Sequence, residues 1–178
     1  KILPIARDNL LSLKSVLKLT KGADLIVTIG GASVGDHDLV AQAATACGFK
    51  QSFYKVAMRP GKPLMAGHFD NAALVGLPGN PVSAMVCGHV FLVPMLRAML
   101  GLGQSARETL KAPLAHDIEA NGARKHYCRA ILNPDGLHVA KRQDSSLLTI
   151  LANANALVIR DLHAPPAYSG DIVEYLPI

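Results

Sequence analysis

The sequence predicts an α/β domain followed by a small, partly barrel-like β domain. Three observations carry this. A continuously apolar segment, Leu25–Ile29, runs into a glycine-rich turn and then a helical pattern. The same order recurs at Ala72–Gly76, the turn Leu77-Pro78-Gly79-Asn80-Pro81 and the long apolar run from Val82. After Gly101-Leu102-Gly103 the texture changes to short strands separated by turn residues. The expected boundary lies at 103/104.

The opening Lys1–Ile5 reads as extended. Asp8 or Asn9 can cap a helix over Leu10–Leu19, where Leu10, Leu13, Val16 and Leu17 share helical spacing, and Gly22 ends it. Leu25–Ile29 has no alternation, so it reads as a strand buried on both faces. Asp36 can cap a second helix reaching Cys47, with Gly48 closing it. Gln51–Ala57 reads as a strand; Met58–Pro63 is too rich in Pro and Gly to continue it. Ala72–Gly76 is a short buried strand. The helix from Val82 to about Leu100 contains Pro94, which lacks the donor for the preceding turn and is expected to kink it. Beyond it, strands are expected at Leu110–Ile118, His126–Leu132, Leu137–Lys141, Ala156–Ile159 and Asp171–Leu176, with turns at Asn121-Gly122, Asn133–Gly136 and Ser169-Gly170. The α/β part shows only about three strong strands, fewer than a sheet covered on both faces usually has. Either Lys1 is not the natural start, or a partner chain finishes the sheet.

Composition narrows the function. The chain has 178 residues, 50% hydrophobic and 17% charged, which is globular rather than disordered. The longest apolar run, Val82–Leu102, contains His89, Pro94 and Arg97, which argues against a lipid-spanning helix. No signal-peptide pattern opens the sequence. Cys47, Cys87 and Cys128 are odd in number and far apart, which suits neither a disulfide framework nor a metal motif and points to a reducing, cytoplasmic setting. The net charge of +5 sits in the first part: residues 1–103 hold 10 basic and 5 acidic side chains, residues 104–178 hold 8 of each. An anionic ligand is favoured there. With 4% aromatic residues and no basic run interleaved with them, a nucleic-acid track is not supported.

Two turns and one loop carry the chemistry. Gly30-Gly31-Ala32-Ser33-Val34-Gly35-Asp36 lies beyond a strand's C-terminal end, where open α/β sheets bind ligands and glycines let backbone N–H groups approach an anion. It is neither a Walker motif nor G-x-G-x-x-G. A tight turn with helix caps is the plain alternative. Asp36 and Asp38 beside an anion suggest a divalent cation between them, with an N-cap and a helix-dipole partner as the alternatives. Arg59-Pro60-Gly61-Lys62-Pro63, with Lys55 upstream, reads as an oxyanion clamp rather than a solvated cluster, because paired prolines pin it. In the second turn Asn80 is a candidate cap, Pro81 takes the first helical position, and Ser83 can donate to an anion or to its own backbone. No hydrolytic triad is legible.

Read together, Ile29–Asp38, Lys55–Pro63 and Gly76–Ser83 closely resemble the molybdopterin molybdenumtransferases of the MoeA (gephyrin E-domain) family, and Gln143–Leu148 and Asn153–Leu157 resemble its C-terminal domain. The resemblance implies a three-layer MogA-like molybdopterin-binding domain at 1–103, lacking its first strand and helix, and a C-terminal β domain at 104–178. It implies a C-terminal fragment of a homodimeric enzyme about twice as long, with active sites between subunits. The implied reaction inserts molybdate into adenylylated molybdopterin and releases AMP, with Mg²⁺ assisting. By position the resemblance makes Asp38, Asp36 and Lys62 catalytic and Asp36 and Asp38 the metal ligands. It makes Gly30, Gly31, Ser33, Gly35, Lys55, Arg59, Lys62, Pro78, Gly79, Asn80 and Ser83 the residues that bind the pterin phosphate. Arg59 stands where Lys is common, and Ser145-Ser146 where Ser-Gly is usual. The competing readings are a gephyrin-like scaffold, a MogA-type adenylyltransferase, which the β domain argues against, and an α/β domain for some other phosphorylated metabolite.

Overall fold

A computed structural model describes residues 1–30, 39–103 and 108–178. The chain divides into two compact units, residues 1–56 with 61–79, and residues 57–60 with 80–178.

In the first unit, helix α1 (Leu10–Lys18) starts at Asn9, whose side-chain oxygen accepts the Ser12 N–H at 2.8 Å. Strand β1 (Leu25–Ile29), helix α2 (Leu39–Ala46) and strand β2 (Phe49–Tyr54) follow, then β4 (Met65–Phe69) and β5 (Ala72–Leu77). The sheet order is β1-β5-β4-β2, with β1 parallel to β5 and the other pairs antiparallel. One face carries the core: Leu17 from α1 and Val40, Ala43 and Ala44 from α2 pack with Ile26, Phe49, Met65, Phe69 and Leu74.

Strand β1 differs from its expected burial on both faces. Ile26 is buried, but Val27 is 39% and Ile29 70% exposed. Among the described residues β1 is an edge strand paired only with β5, so half of its apolar run has no cover. Strand β4 was not anticipated. It forms a hairpin with β5 across Asp70-Asn71, where Asp70 takes a φ of 53°.

The second unit begins with β3 (Met58–Arg59), a two-residue strand where none was expected, parallel to β7 (Lys125–Asn133). The helix after the second turn is α3 (Pro81–Cys87), a π-helical turn over Gly88–Leu92, and α4 (Val93–Met99). The kink expected at Pro94 takes the form of this wider turn, which accommodates the missing donor and the ring's clash with the previous turn. By length and composition alone the helix Pro81–Met99, of mean hydropathy 1.6, could cross a membrane.

Strands β6 (Leu110–Pro113), β8 (Gly136–Val139), β9 (Ala156–Arg160) and β10 (Ile172–Pro177) complete a sheet of order β3-β7-β9-β10-β6, with β8 on β7. A single bridge, Leu114 to Leu137, joins the end of β6 to β8, so the sheet curls as a barrel does without a closed ladder. A short helix, α5 (Leu148–Asn153), was not anticipated. Leu114, Cys128, Leu137, Val139, Val158 and Tyr175 fill the core.

His126 sits at the centre of a basic column. Its register partners are Arg59 on β3 and Arg160 on β9, so all three side chains share one face. His126 is 9% exposed, and its Nε2 has no partner among the described residues. Burial first, then Arg59, Arg129 and Arg124, push its pKa down to about 4. The unfolded state takes up a proton near pH 6.5 and the folded state only near 4, so folding loses stability as pH falls through that window. The expected loss approaches roughly 3 kcal/mol by pH 4. Urea unfolding at several pH values should show it, and His126→Phe should remove that component. An unchanged slope in the variant would refute the assignment.

Candidate functional site

The expected site residues fall in both units, and each set has its own geometry. In the first unit, parallel strands β1 and β5 end side by side, with Ile29 opposite Leu77. The Gly30 N–H then donates to the Leu77 carbonyl at 3.1 Å. Gly30 has a φ of +84°, a backbone that L side chains rarely adopt. A Cβ on Gly79 would lie 3.2 Å from the Gly30 Cα. Gly30 and Gly79 thus lie close together at the C-terminal edge of the sheet, where a Cβ on Gly79 would crowd the Gly30 backbone, and Pro78 beside them is buried. One step back on β1, the Thr28 Oγ1 is buried and has no partner among the described residues.

The base of the basic loop lies in the same unit. Lys55 N–H donates to Leu64 O at 2.9 Å and Val56 N–H to Lys62 O at 3.0 Å, so the loop's two arms are zipped at its base. Lys55 has a φ of 69° and Gly61 one of 108°. Lys55 Nζ lies 4.9 Å from the centre of the Tyr54 ring. Lys55 and Lys62 are both exposed, as a clamp for a soluble anion requires.

In the second unit, Arg59 is exposed on β3. Asn80 caps α3: its Oδ1 accepts the Ser83 N–H at 3.0 Å, and its Nδ2 donates to the Ser145 carbonyl at 3.0 Å. Ser83 is buried in the first turn. Gly31, Ser33, Gly35, Asp36 and Asp38 lie outside the described residues. Among the described residues no group of three or more His, Cys, Asp or Glu gathers to hold a metal. Burial pushes the Cys87 thiol up to about 12 and Cys128 up to about 11, so both stay protonated near neutrality and are poor nucleophiles.

The sequence reading passed over Arg129, which is fully buried in β7. Its Nε donates to Gln143 Oε1 at 3.2 Å and its Nη1 to the Asp144 carbonyl at 3.0 Å, while its Nη2 has no partner among the described residues. A lone arginine inside the apolar run His126–Leu132 was the available signal.

Comparison with known proteins follows the two parts. The family described as "Probable molybdopterin binding domain" matches residues 1–98. "MoeA C-terminal region (domain IV)" matches residues 111–178. The chain belongs to the MoeA family. A molybdopterin molybdenumtransferase of Nostoc is 33% identical over 98% of this chain and 43% of its own length. Molybdopterin molybdenumtransferase 2 of Mycobacterium tuberculosis is 36% identical over 76% of this chain and 35% of its own. The crystal structure of a MoeA protein from Pyrococcus horikoshii superposes with a TM-score of 0.78 at 25% identity, covering 97% of this chain and 42% of that one. The fold is therefore that of MoeA proteins, a MogA-like domain with a MoeA C-terminal domain, and the chain spans less than half the length of these relatives.

Proposed function

We propose that this chain is the substrate-binding part of a molybdenumtransferase of molybdenum cofactor biosynthesis, which inserts molybdate into adenylylated molybdopterin and releases AMP. The observation that carries the reading is the close approach of Gly30 and Gly79 at the C-terminal edge of parallel β1 and β5. That edge is where α/β sheets receive phosphorylated ligands. Lys55 and Lys62 supply positive charge from the same unit, and Arg59, Asn80 and Ser83 are assigned to the ligand by the resemblance of their motifs alone. Asp36 and Asp38 are assigned to turnover, and Mg²⁺ held by them would stabilise charge developing on the cleaved phosphoanhydride. A homodimer in the cytoplasm, with no nucleic-acid or membrane partner, and a domain boundary near Gly101–Ser105 belong to the same reading.

Family relatives are more than twice as long, so this chain alone is expected to bind the pterin nucleotide weakly and to transfer no metal. Catalysis needs groups held within fractions of an ångström. Molybdenum insertion by the isolated chain, supplied with Mg²⁺ and adenylylated pterin, would overturn that expectation. Failure of the full-length protein to catalyse it would overturn the function.

A further inference from the structure

We propose that Gln143 is a positioning residue for the turn that begins α3, acting through Arg129 and the segment 143–147. This rests on the reading of Asn80 and Ser83 as ligand-facing residues.

The network lies wholly within the second unit. The β7–β8 ladder ends at the pair Ala130 and Val139, followed by one more bond from Ala140 N–H to Arg129 O at 3.0 Å. Beyond that point the Gln143 side-chain amide takes the place of a strand. Its Oε1 accepts the Arg129 backbone N–H at 3.0 Å and the Arg129 Nε at 3.2 Å. Its Nε2 donates to Arg129 O at 3.0 Å and Ala140 O at 2.8 Å. One amide thus makes four bonds, and both its ends are dictated by partners that can only donate or only accept.

Held this way, Arg129 reaches the segment after Gln143. Its Nη1 donates to Asp144 O at 3.0 Å and Leu147 O at 3.4 Å. Asp144 tightens the same turn, its Oδ1 accepting Ser146 N–H at 2.8 Å and its carbonyl accepting Leu147 N–H at 3.2 Å. The turn presents the Ser145 carbonyl to Asn80 Nδ2 at 3.0 Å. A carbonyl can only accept and the Ser83 N–H can only donate, so the Asn80 amide has one orientation that serves both. The cap is therefore set by the segment 143–147, and Gln143 is the residue whose removal unties it. The arginine is fully buried and forms no ion pair within 4.0 Å among the described residues, so amide and carbonyl oxygens take its hydrogen bonds.

Gln143→Leu in the full chain tests this, read by hydrogen exchange of the Asn80 side-chain amide and by calorimetric binding of molybdate. Exchange should quicken by roughly 10-fold or more, because the Ser145 carbonyl is released. In a cycle with Asn80→Ala, the two losses in molybdate affinity should not multiply, the double variant matching Asn80→Ala within about twofold. Gln143→Glu keeps the acceptor for Arg129 but turns a second acceptor toward the Arg129 and Ala140 carbonyls, so it should retain part of the Asn80 protection, which also serves if the Leu variant fails to fold. Unchanged Asn80 exchange in Gln143→Leu, losses that multiply, or Gln143→Glu exchanging as fast as a protein without the cap would each overturn the proposal. If the wild type binds no molybdate, the reading of Asn80 and Ser83 as ligand-facing fails, while the exchange measurement still decides the positioning role.

Discussion

Replacing Asp38 with Asn in the full-length protein is expected to lower single-turnover release of AMP by roughly 10²-fold or more, with ground-state binding unchanged or tighter when metal is absent. A carboxylate repels an anion, so under the proposed function Asp38, two residues after the Gly30–Asp36 motif in sequence, makes sense only if it carries a cation or positions a reacting group. Its alternative role, complementing the start of α2, is worth about 0.3–1 kcal/mol and would leave turnover intact. Release of AMP with and without Mg²⁺, alongside a folding check, separates the two. Wild-type turnover in a folded Asp38→Asn protein would return Asp38 to the helix terminus.

Gly67→Ala is expected to cost the first unit about 3 kcal/mol or more, enough to unfold much of it. Gly67 lies in β4 opposite Gln51, beside the register shift between Gln51 and Phe53. A Cβ there would sit 2.2 Å from the Lys50 carbonyl oxygen and 2.7 Å from the Phe49 ring. The first neighbour is backbone in a paired strand and the second is a core side chain, so neither yields cheaply. The loss would spread to β5 and so to the edge that carries Gly79. Chemical denaturation of the variant measures it; a midpoint shift below that expected for about 1 kcal/mol would show that β2 moves aside.

The contrast between Gly67 and Gly30 explains what the sequence made legible. Gly30 and Gly79 stand at the ends of strands in a strand–turn–helix order, so their role followed from position. Strand β4, Met-Ala-Gly-His-Phe, has no β-branched residue and a central glycine, and only its hairpin with β5 makes it a strand. Strand β3 is two residues wide because Pro60 follows it, and it exists because β7 offers an edge. Leu25–Ile29 read as buried on both faces because an apolar run does not reveal which side a neighbour covers. Arg129 escaped notice because a charged residue in a strand reads as solvent-facing; the cover comes from the irregular segment 143–147, whose sequence has no periodicity. The three motifs carried the family because each is a short Gly- and Pro-rich segment legible in the sequence itself. The positioning of Asn80 was hidden because it arises between residues 65 apart in sequence.

The measurement that bears most directly on the central claim is calorimetric titration of adenylylated molybdopterin into the full-length protein and its Lys62→Ala variant, at low and at high salt. Lys62 stands between Gly61 and Pro63 with an exposed ammonium, and in this account it holds the ligand's negative charge in ground and transition state alike. The wild type is expected to bind, Lys62→Ala to bind more weakly at low salt, and the difference to shrink at high salt as the charges are screened. Equal affinity of the two proteins at low salt, or no binding by the folded wild type, would contradict it.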